Sequence, residues 1–171
     1  MLVLNIVLYE PEIPQNTGNI MRTCAGTGTR LHLIKPFGFS LSDNMLKRSG
    51  VNYIEHCNYF VYDDYNDFLS KNHGDFYFLT RYSTKSYTSF DYSDKDQNIY
   101  LIFGKESTGI PKDILHANLD KCARIPTNDN IRALNVSNSV AIVLFEALRQ
   151  QGFPDLLLYD TQKGKDYLTE D

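Results

Sequence analysis

The sequence predicts an α/β fold with a mostly parallel sheet and flanking helices, and three observations carry that prediction. Short apolar runs alternate with segments of helical spacing along the chain, the pattern of strands joined through helices. The first such unit is a strand–helix–strand crossover: an apolar run ending at Tyr9, a helical segment closing at Gly26-Thr-Gly28, and a second apolar run, Leu31-His-Leu-Ile34. Crossovers of this kind join parallel neighbours. Polar loops rich in small residues follow three of the apolar runs, where parallel sheets bind ligands.

Each element has its own signal. Met1 to Tyr9 has no basic lead-in and no small-residue cleavage site, and Asn5 interrupts it, so it reads as a strand rather than a signal peptide. The Pro-bounded loop from Glu10 opens a helix capped by Asn16 or Thr17, with Ile20, Cys24 and Met21 on its buried side. Pro36 to Ser40 is a turn, and a short helix follows from Ser42 to Arg48. Val51 to Val61 mixes aromatic and β-favouring residues and supplies another strand. Asp63 to Asn72 is a surface helix with Tyr65, Phe68 and Leu69 on one face.

Phe76 to Leu79 and Ile99 to Phe103 are compact apolar strands, separated over 81–98 by a long loop with room for a short edge strand. Pro111 starts a helix, and Lys121 to Ile125 is the last strand. Asn135, Ser137 and Asn138 then offer cap oxygens to the chain's most apolar helix, where Val140, Ile142, Val143, Leu144 and Ala147 take up helical spacing. Beyond Gly152-Phe-Pro154 the chain is polar and acidic apart from Leu156 to Tyr159. The reading is one domain over residues 1–155, followed by a partly disordered tail over 156–171.

Composition narrows the function. Three widely spaced cysteines, Cys24, Cys57 and Cys122, show no metal-ligand spacing and point to a reducing cytoplasm without structural disulfide or zinc. The four histidines have no recurrent spacing with Asp or Glu, so none is assigned to a metal or a proton relay. No apolar run reaches membrane-spanning length. A net charge of −4 argues against indiscriminate nucleic-acid binding. The first fifty residues are net basic, with five Lys/Arg against three Asp/Glu, so a nucleic-acid contact must be a local patch.

The chemistry lies in the three loops, Pro14 to Arg22, Gly104-Lys-Glu-Ser-Thr-Gly109, and Ile125 to Asn138. The second is neither a P-loop nor a dinucleotide fingerprint, which disfavours a nucleoside triphosphate. Its two glycines permit close backbone approach, so a flat adenine ring can rest against bare peptide. Arg22 lies near the mouth of the first loop, and Glu106 is read as a partner for Arg22 or for a substrate hydroxyl.

Together the three loops resemble the motifs of the SPOUT superfamily of RNA methyltransferases, on its SpoU side. Asn16-Thr-Gly-Asn-Ile-Met-Arg22 resembles motif one, Phe103-Gly-Lys-Glu-Ser-Thr-Gly109 motif two, and Ile125-Pro with Leu134-Asn-Val-Ser-Asn-Ser-Val-Ala through Glu146-Ala motif three. The opening Asn5-Ile-Val-Leu-Tyr-Glu-Pro-Glu-Ile-Pro-Gln-Asn and the segment Leu31-His-Leu-Ile-Lys-Pro-Phe-Gly-Phe39 are similar to the TrmL (YibK) subfamily. The resemblance implies a sheet whose C-terminal part forms a deep trefoil knot, a homodimer, and S-adenosyl-L-methionine as cofactor. It implies transfer of a methyl group to the ribose 2′-hydroxyl of the tRNA wobble nucleotide in the anticodon loop, cytidine or carboxymethylaminomethyluridine, with no metal and no membrane. By the same resemblance Leu79, Thr80, Gly104, Glu106, Gly109, Ile125, Ala133, Leu134 and Asn135 would hold the cofactor. Arg22 would act on the reacting oxygen, placed by Asn16, Glu106, Ser137 and Asn138. Ala133 stands where the family often has Ser, and Phe145 where it often has Tyr. For RNA, Arg22, Arg30, Lys35, Lys47, Arg48, Arg81, Lys85 and Arg132 offer a basic rim, with Tyr82 available for stacking. The alternatives are a methyltransferase of the same superfamily acting on ribosomal RNA, and a non-catalytic RNA-binding protein.

Overall fold

A computed structural model describes residues 4–41, 54–94 and 96–169. Among them six strands, β1 (Leu4–Tyr9), β2 (Arg30–Ile34), β3 (Tyr59–Tyr62), β4 (Asp75–Leu79), β5 (Ile99–Phe103) and β6 (Cys122–Ala123), form one sheet. Every pairing is parallel, in keeping with the mostly parallel sheet that the alternating pattern predicts, and the order is β3-β2-β1-β5-β4-β6. The helices are α1 (Pro14–Thr27), α2 (Tyr65–Lys71), α3 (Lys112–Ala117) and α4 (Val136–Gln150). The helix expected over Ser42 to Arg48 lies outside the described residues. Of the strand expected over Val51 to Val61, Ile54–His56 is a 3-10 turn and only the end enters β3.

Alternation along β1 sorts the core into two layers. Leu4, Ile6 and Leu8 face one side, packed with Ile20, Met21 and Cys24 of α1 and with Val140, Val143, Leu144, Ala147 and Leu148 of α4. Val7 faces the other side with Phe68 of α2 and Leu115 of α3. Burying each large aliphatic side chain of α4 stabilises by about 1.5–3 kcal/mol, well above the few tenths that separate helix propensities. Packing therefore fixes α4.

Three local expectations are corrected. Helix α1 starts before Asn16 and Thr17: its cap is Ile13, with Pro14 in the first turn, where a missing N–H costs nothing. Asn16 and Thr17 are buried inside the first turn, which frees the Asn16 amide for a longer-range role. Pro111 is the residue before α3, in extended conformation, rather than its first helical residue. Leu69 is exposed, because it lies about 100° round the helix from Phe68 and so outside the narrow buried stripe of a two-turn helix. The glycine stop of α1 stands as read: Gly28 is left-handed, at φ 69°, and its amide donates to the Cys24 carbonyl.

A buried polar chain crosses the second face. The Asn5 amide donates to the Ile99 carbonyl at 3.2 Å, which turns its oxygen towards His32 Nε2 at 3.0 Å. His32 Nε2 must therefore carry the proton. Nδ1 then accepts from the Tyr62 hydroxyl at 2.8 Å, closer than that hydroxyl's other partner, Asn72 Oδ1 at 3.4 Å. Burial, with a smaller effect from Arg30, lowers the His32 pKa from 6.5 to about 4. Between those values the unfolded chain binds more protons, so this stability is complete above pH 6.5 and is lost as pH falls towards 4. The expected loss is about 1.4 kcal/mol per pH unit over that window. Denaturant unfolding at pH 7, 6, 5 and 4 should show this slope, and His32→Gln should remove one proton's worth of it.

Candidate functional site

The sheet register brings the motif loops together. Phe103 at the end of β5 pairs with Leu8 and with Leu79, and Leu79 pairs with Ala123, so four strands end at one level. The strand order also reverses between β1 and β5, the position where open α/β sheets bind ligands. A cavity of about 440 Å³ opens beside that position, over the ends of β5, β4 and β6 and against the start of α1, within the usual range for small-molecule sites. Leu79, Thr80, Gly104, Glu106, Gly109, Ile125, Ala133, Leu134 and Asn135 all line it, as does Asn16.

The wall formed by residues 104–109 depends on glycine. A Cβ on Gly104 would lie 2.2 Å from both the Gly109 carbonyl carbon and the Ile110 nitrogen, so only bare backbone fits. Gly109 has φ +77° and returns its amide to the Lys105 carbonyl at 2.9 Å, closing the loop.

One carboxylate ties this wall to α1. Glu106 accepts from the Glu12 amide at 2.9 Å, the Ile13 amide at 3.3 Å and the Asn16 side-chain amide at 2.9 Å. It thus satisfies donors that a helix N-terminus leaves open and places negative charge where the helix dipole favours it. The Asn16 oxygen accepts from Asn135 Nδ2 at 3.0 Å. Asn135 in turn caps α4, its oxygen accepting from the Ser137 amide at 2.9 Å, the Ser137 hydroxyl at 2.6 Å and the Asn138 amide at 3.4 Å. The first of the three expected loops, Pro14 to Arg22, is helical within α1, so Glu106, Asn16, Asn135, Ser137 and Asn138 form one continuous hydrogen-bonded chain that joins the 104–109 loop to the first turn of α1 and to the start of α4.

Arg22 stands apart from it. It lies on the exposed side of α1, outside the cavity lining, and Glu106 is engaged by residues 12–16 rather than by Arg22. The sequence reading also missed two carboxylates in the Glu-Pro-Glu turn. Glu10 binds Lys105 Nζ at 2.6 Å, and Glu12 accepts from the Ser107 amide and hydroxyl, both at 2.8 Å. Those hydrogen bonds hold the Glu12 carboxyl below the usual range. The paired acids flanking Pro11 were the available signal. Among the described residues no group of three or more His, Cys, Asp or Glu is placed to hold a metal.

A parallel α/β sheet with three mutually bonded motif segments around a cavity over its strand ends defines a small-molecule-binding domain of the cofactor-using kind. Residues 3–145 match the SpoU rRNA Methylase family, and the chain belongs to that family. A Geobacillus stearothermophilus protein, provisionally described as a tRNA (cytidine(34)-2′-O)-methyltransferase, is 53% identical over 156 residues, covering 91% of this chain and 99% of its own. The tRNA (cytidine(34)-2′-O)-methyltransferase of Escherichia coli K12 is 45% identical over 160 residues, covering 92% of this chain and all of its own. A solved structure described as giving insight into 2-OH methylation of C/U34 on tRNA is 36% identical, with a TM-score of 0.81 over 88% of this chain and 97% of that one. The parallel α/β sheet and the SpoU family membership are those that the motifs implied.

Proposed function

We propose that the chain transfers the methyl group of S-adenosyl-L-methionine to the ribose 2′-hydroxyl of tRNA nucleotide 34, the wobble position. The observation that carries this reading is the bonded convergence of the three motif loops on one cavity, in a chain matched nearly end to end by relatives of that description. The cavity suits the cofactor: Leu79, Phe103, Ile125 and Leu134 give apolar walls, the backbone at Gly104 and Gly109 lies bare, and Asn16, Glu106 and Asn135 form one of its groups of polar side chains. Bound there, the cofactor supplies an electrophilic methyl on a sulfonium centre.

The protein's own task is to aim the ribose oxygen at that methyl and to stabilise the charge that develops as the hydroxyl loses its proton. Arg22 is assigned the electrostatic role, since a guanidinium keeps its proton at neutral pH. Asn16, Glu106, Ser137 and Asn138 are assigned to positioning. Arg22→Ala should lower turnover by roughly 10²–10³ while leaving cofactor affinity in place. Full turnover in Arg22→Lys would rule out a bidentate arginine role.

Homodimer formation belongs to the same proposal. Ile142 and Phe145 leave apolar surface exposed on α4, which packs beside α1. Phe145→Asp is expected to weaken the dimer at least about 30-fold, the scale of an interface hot spot, in light scattering over a dilution series. An unchanged dimer would move the interface elsewhere. The trefoil knot, a cytoplasmic location, and the division into a domain over 1–155 and a tail over 156–171 complete the proposed reading. For the tail, Leu157 and Leu158 are both exposed; for the location, no helix among the described residues is long and apolar enough to cross a membrane.

The deciding assay incubates the protein with labelled S-adenosylmethionine and separate tRNA and ribosomal RNA pools from a strain lacking the gene, then maps the methyl by digestion and mass spectrometry. A 2′-O-methyl at position 34 is expected. Methyl in ribosomal RNA alone, or in neither pool, refutes the proposal.

A further inference from the structure

A second polar cluster at the cavity mouth has no part in the bonded chain of the three loops. Arg81 and Tyr82 follow the end of β4, Arg132 lies on the loop before α4, and all three line the cavity. The Arg81 guanidinium lies 4.6 Å from the Tyr82 ring centroid and donates to the phenol oxygen. Arg81 first, and Arg132 after it, hold that phenol below its ordinary pKa, and Arg132 lines the same cavity as the ring. Tyr82 is nonetheless 65% exposed.

The backbone beneath is well fixed. The Thr80 amide donates to the Ala123 carbonyl at 2.9 Å, the Arg124 amide to the Lys85 carbonyl at 2.8 Å, and Arg124 Nη1 to the Arg81 carbonyl at 3.1 Å. Among the described residues Lys35, Lys71, Lys105, Lys121 and Arg149 each pair with a carboxylate, and neither Arg81 nor Arg132 does. Two guanidiniums with no carboxylate partner among the described residues thus line the same cavity as one exposed aromatic ring, in a chain whose net charge is −4.

Of the eight cations that the sequence offers for an RNA rim, Arg22 and Arg30 do not line the cavity. Lys35 is taken by Asp63, Lys85 donates to the Asp120 carbonyl, and Lys47 and Arg48 lie outside the described residues. Arg81 and Arg132 are the two that meet at the cavity. A planar guanidinium fork suits phosphate oxygens, and an exposed ring beside it suits an unstacked base.

We propose that Arg81 and Arg132 bind a backbone phosphate of single-stranded RNA beside the nucleotide to be methylated, and that Tyr82 stacks on a neighbouring base. This clamp rests on the RNA-methylating reading above. The competing anion is the carboxylate of the cofactor's own amino-acid group, and the two make opposite demands on binding data.

The test uses the full-length protein, an anticodon stem-loop RNA and S-adenosylmethionine. RNA affinity is measured across a salt series, beside cofactor affinity and the KM for RNA. Arg81→Gln and Arg132→Gln should each weaken RNA binding about tenfold and reduce the slope of log affinity against log salt by about 0.7, the value for one single-strand phosphate contact. Cofactor affinity should stay within about twofold. Tyr82→Leu should lose about tenfold in RNA affinity, and Tyr82→Phe should recover most of that loss. Unchanged RNA affinity and salt slope in both arginine variants would overturn the clamp, as would weakened cofactor binding with RNA binding intact. A wild-type protein that methylates position 34 under those outcomes leaves the parent reading standing. A wild-type protein that binds no such RNA removes both.

Discussion

Gly104→Ala is expected to abolish cofactor binding while leaving a folded protein. The added methyl would lie 2.2 Å from the Gly109 carbonyl carbon, 2.2 Å from the Ile110 nitrogen and 2.6 Å from the Gly109 Cα. All three are backbone atoms, so no side chain can turn aside. Nor can the segment move as a unit, because Phe103 before it and Ile110 after it are both buried. The relief open to the chain is to break the Lys105 to Gly109 bridge, which swings Glu106 away from α1 and opens the cavity wall. Gly109→Ala is the control. Its Cβ would meet nothing within 4 Å, so its cost is the left-handed backbone alone, about 1–2 kcal/mol. Titration calorimetry with S-adenosylmethionine should show affinity falling more than about 100-fold in Gly104→Ala and less than about tenfold in Gly109→Ala, since 2.7 kcal/mol is a hundredfold. Wild-type affinity in Gly104→Ala would mean that this loop is not the cofactor's wall.

What could be read from the sequence, and what could not, follows from the range of the interactions. The strands at Leu31–Ile34, Phe76–Leu79 and Ile99–Phe103 declare themselves locally, because each is a short apolar run between polar loops. The Gly28 stop is equally local. The start of α1 was misplaced because a cap was sought for Asn16, whereas its amide is committed to Glu106, ninety residues away. Glu10 and Glu12 went unread for the same reason: their partners, Lys105 and Ser107, are each ninety-five residues distant. His32 had no acidic neighbour in sequence, and its partners Asn5 and Tyr62 come from other strands. The site loops were legible because three separate motifs had to agree. The bonds that lock them together were not, because each joins residues that only the sheet register brings close.

Glu106→Gln, an isosteric change, should be nearly as damaging as deleting the side chain. The carboxylate accepts three N–H groups, with Oε2 taking Glu12 and Oε1 taking Ile13 and Asn16. An amide has one acceptor oxygen, and its NH2 must face a donor in either orientation. Hydrogen bonds to a charged group contribute about 1.5–3 kcal/mol each, and an unsatisfied donor costs about 1–3 kcal/mol. Because these groups are partly solvated, the lower ends apply, and a net loss of roughly 3 kcal/mol is expected. For a chain of this size that lowers Tm by about 6–12 °C. The effect on turnover should be larger than the effect on stability. Asn16 loses its anchor, and through the 3.0 Å bond from Asn135 the cap of α4 loses its fixed position beside the cavity. Turnover should fall by more than about 100-fold, since displacements near 1 Å at a positioned site carry that penalty. Glu106→Asp keeps the charge on a shorter arm and should recover part of the Tm but little of the turnover. If Glu106→Gln melted and turned over as the wild type does, the carboxylate would not be what joins the loops, and the positioning role of Asn16 would fall with it.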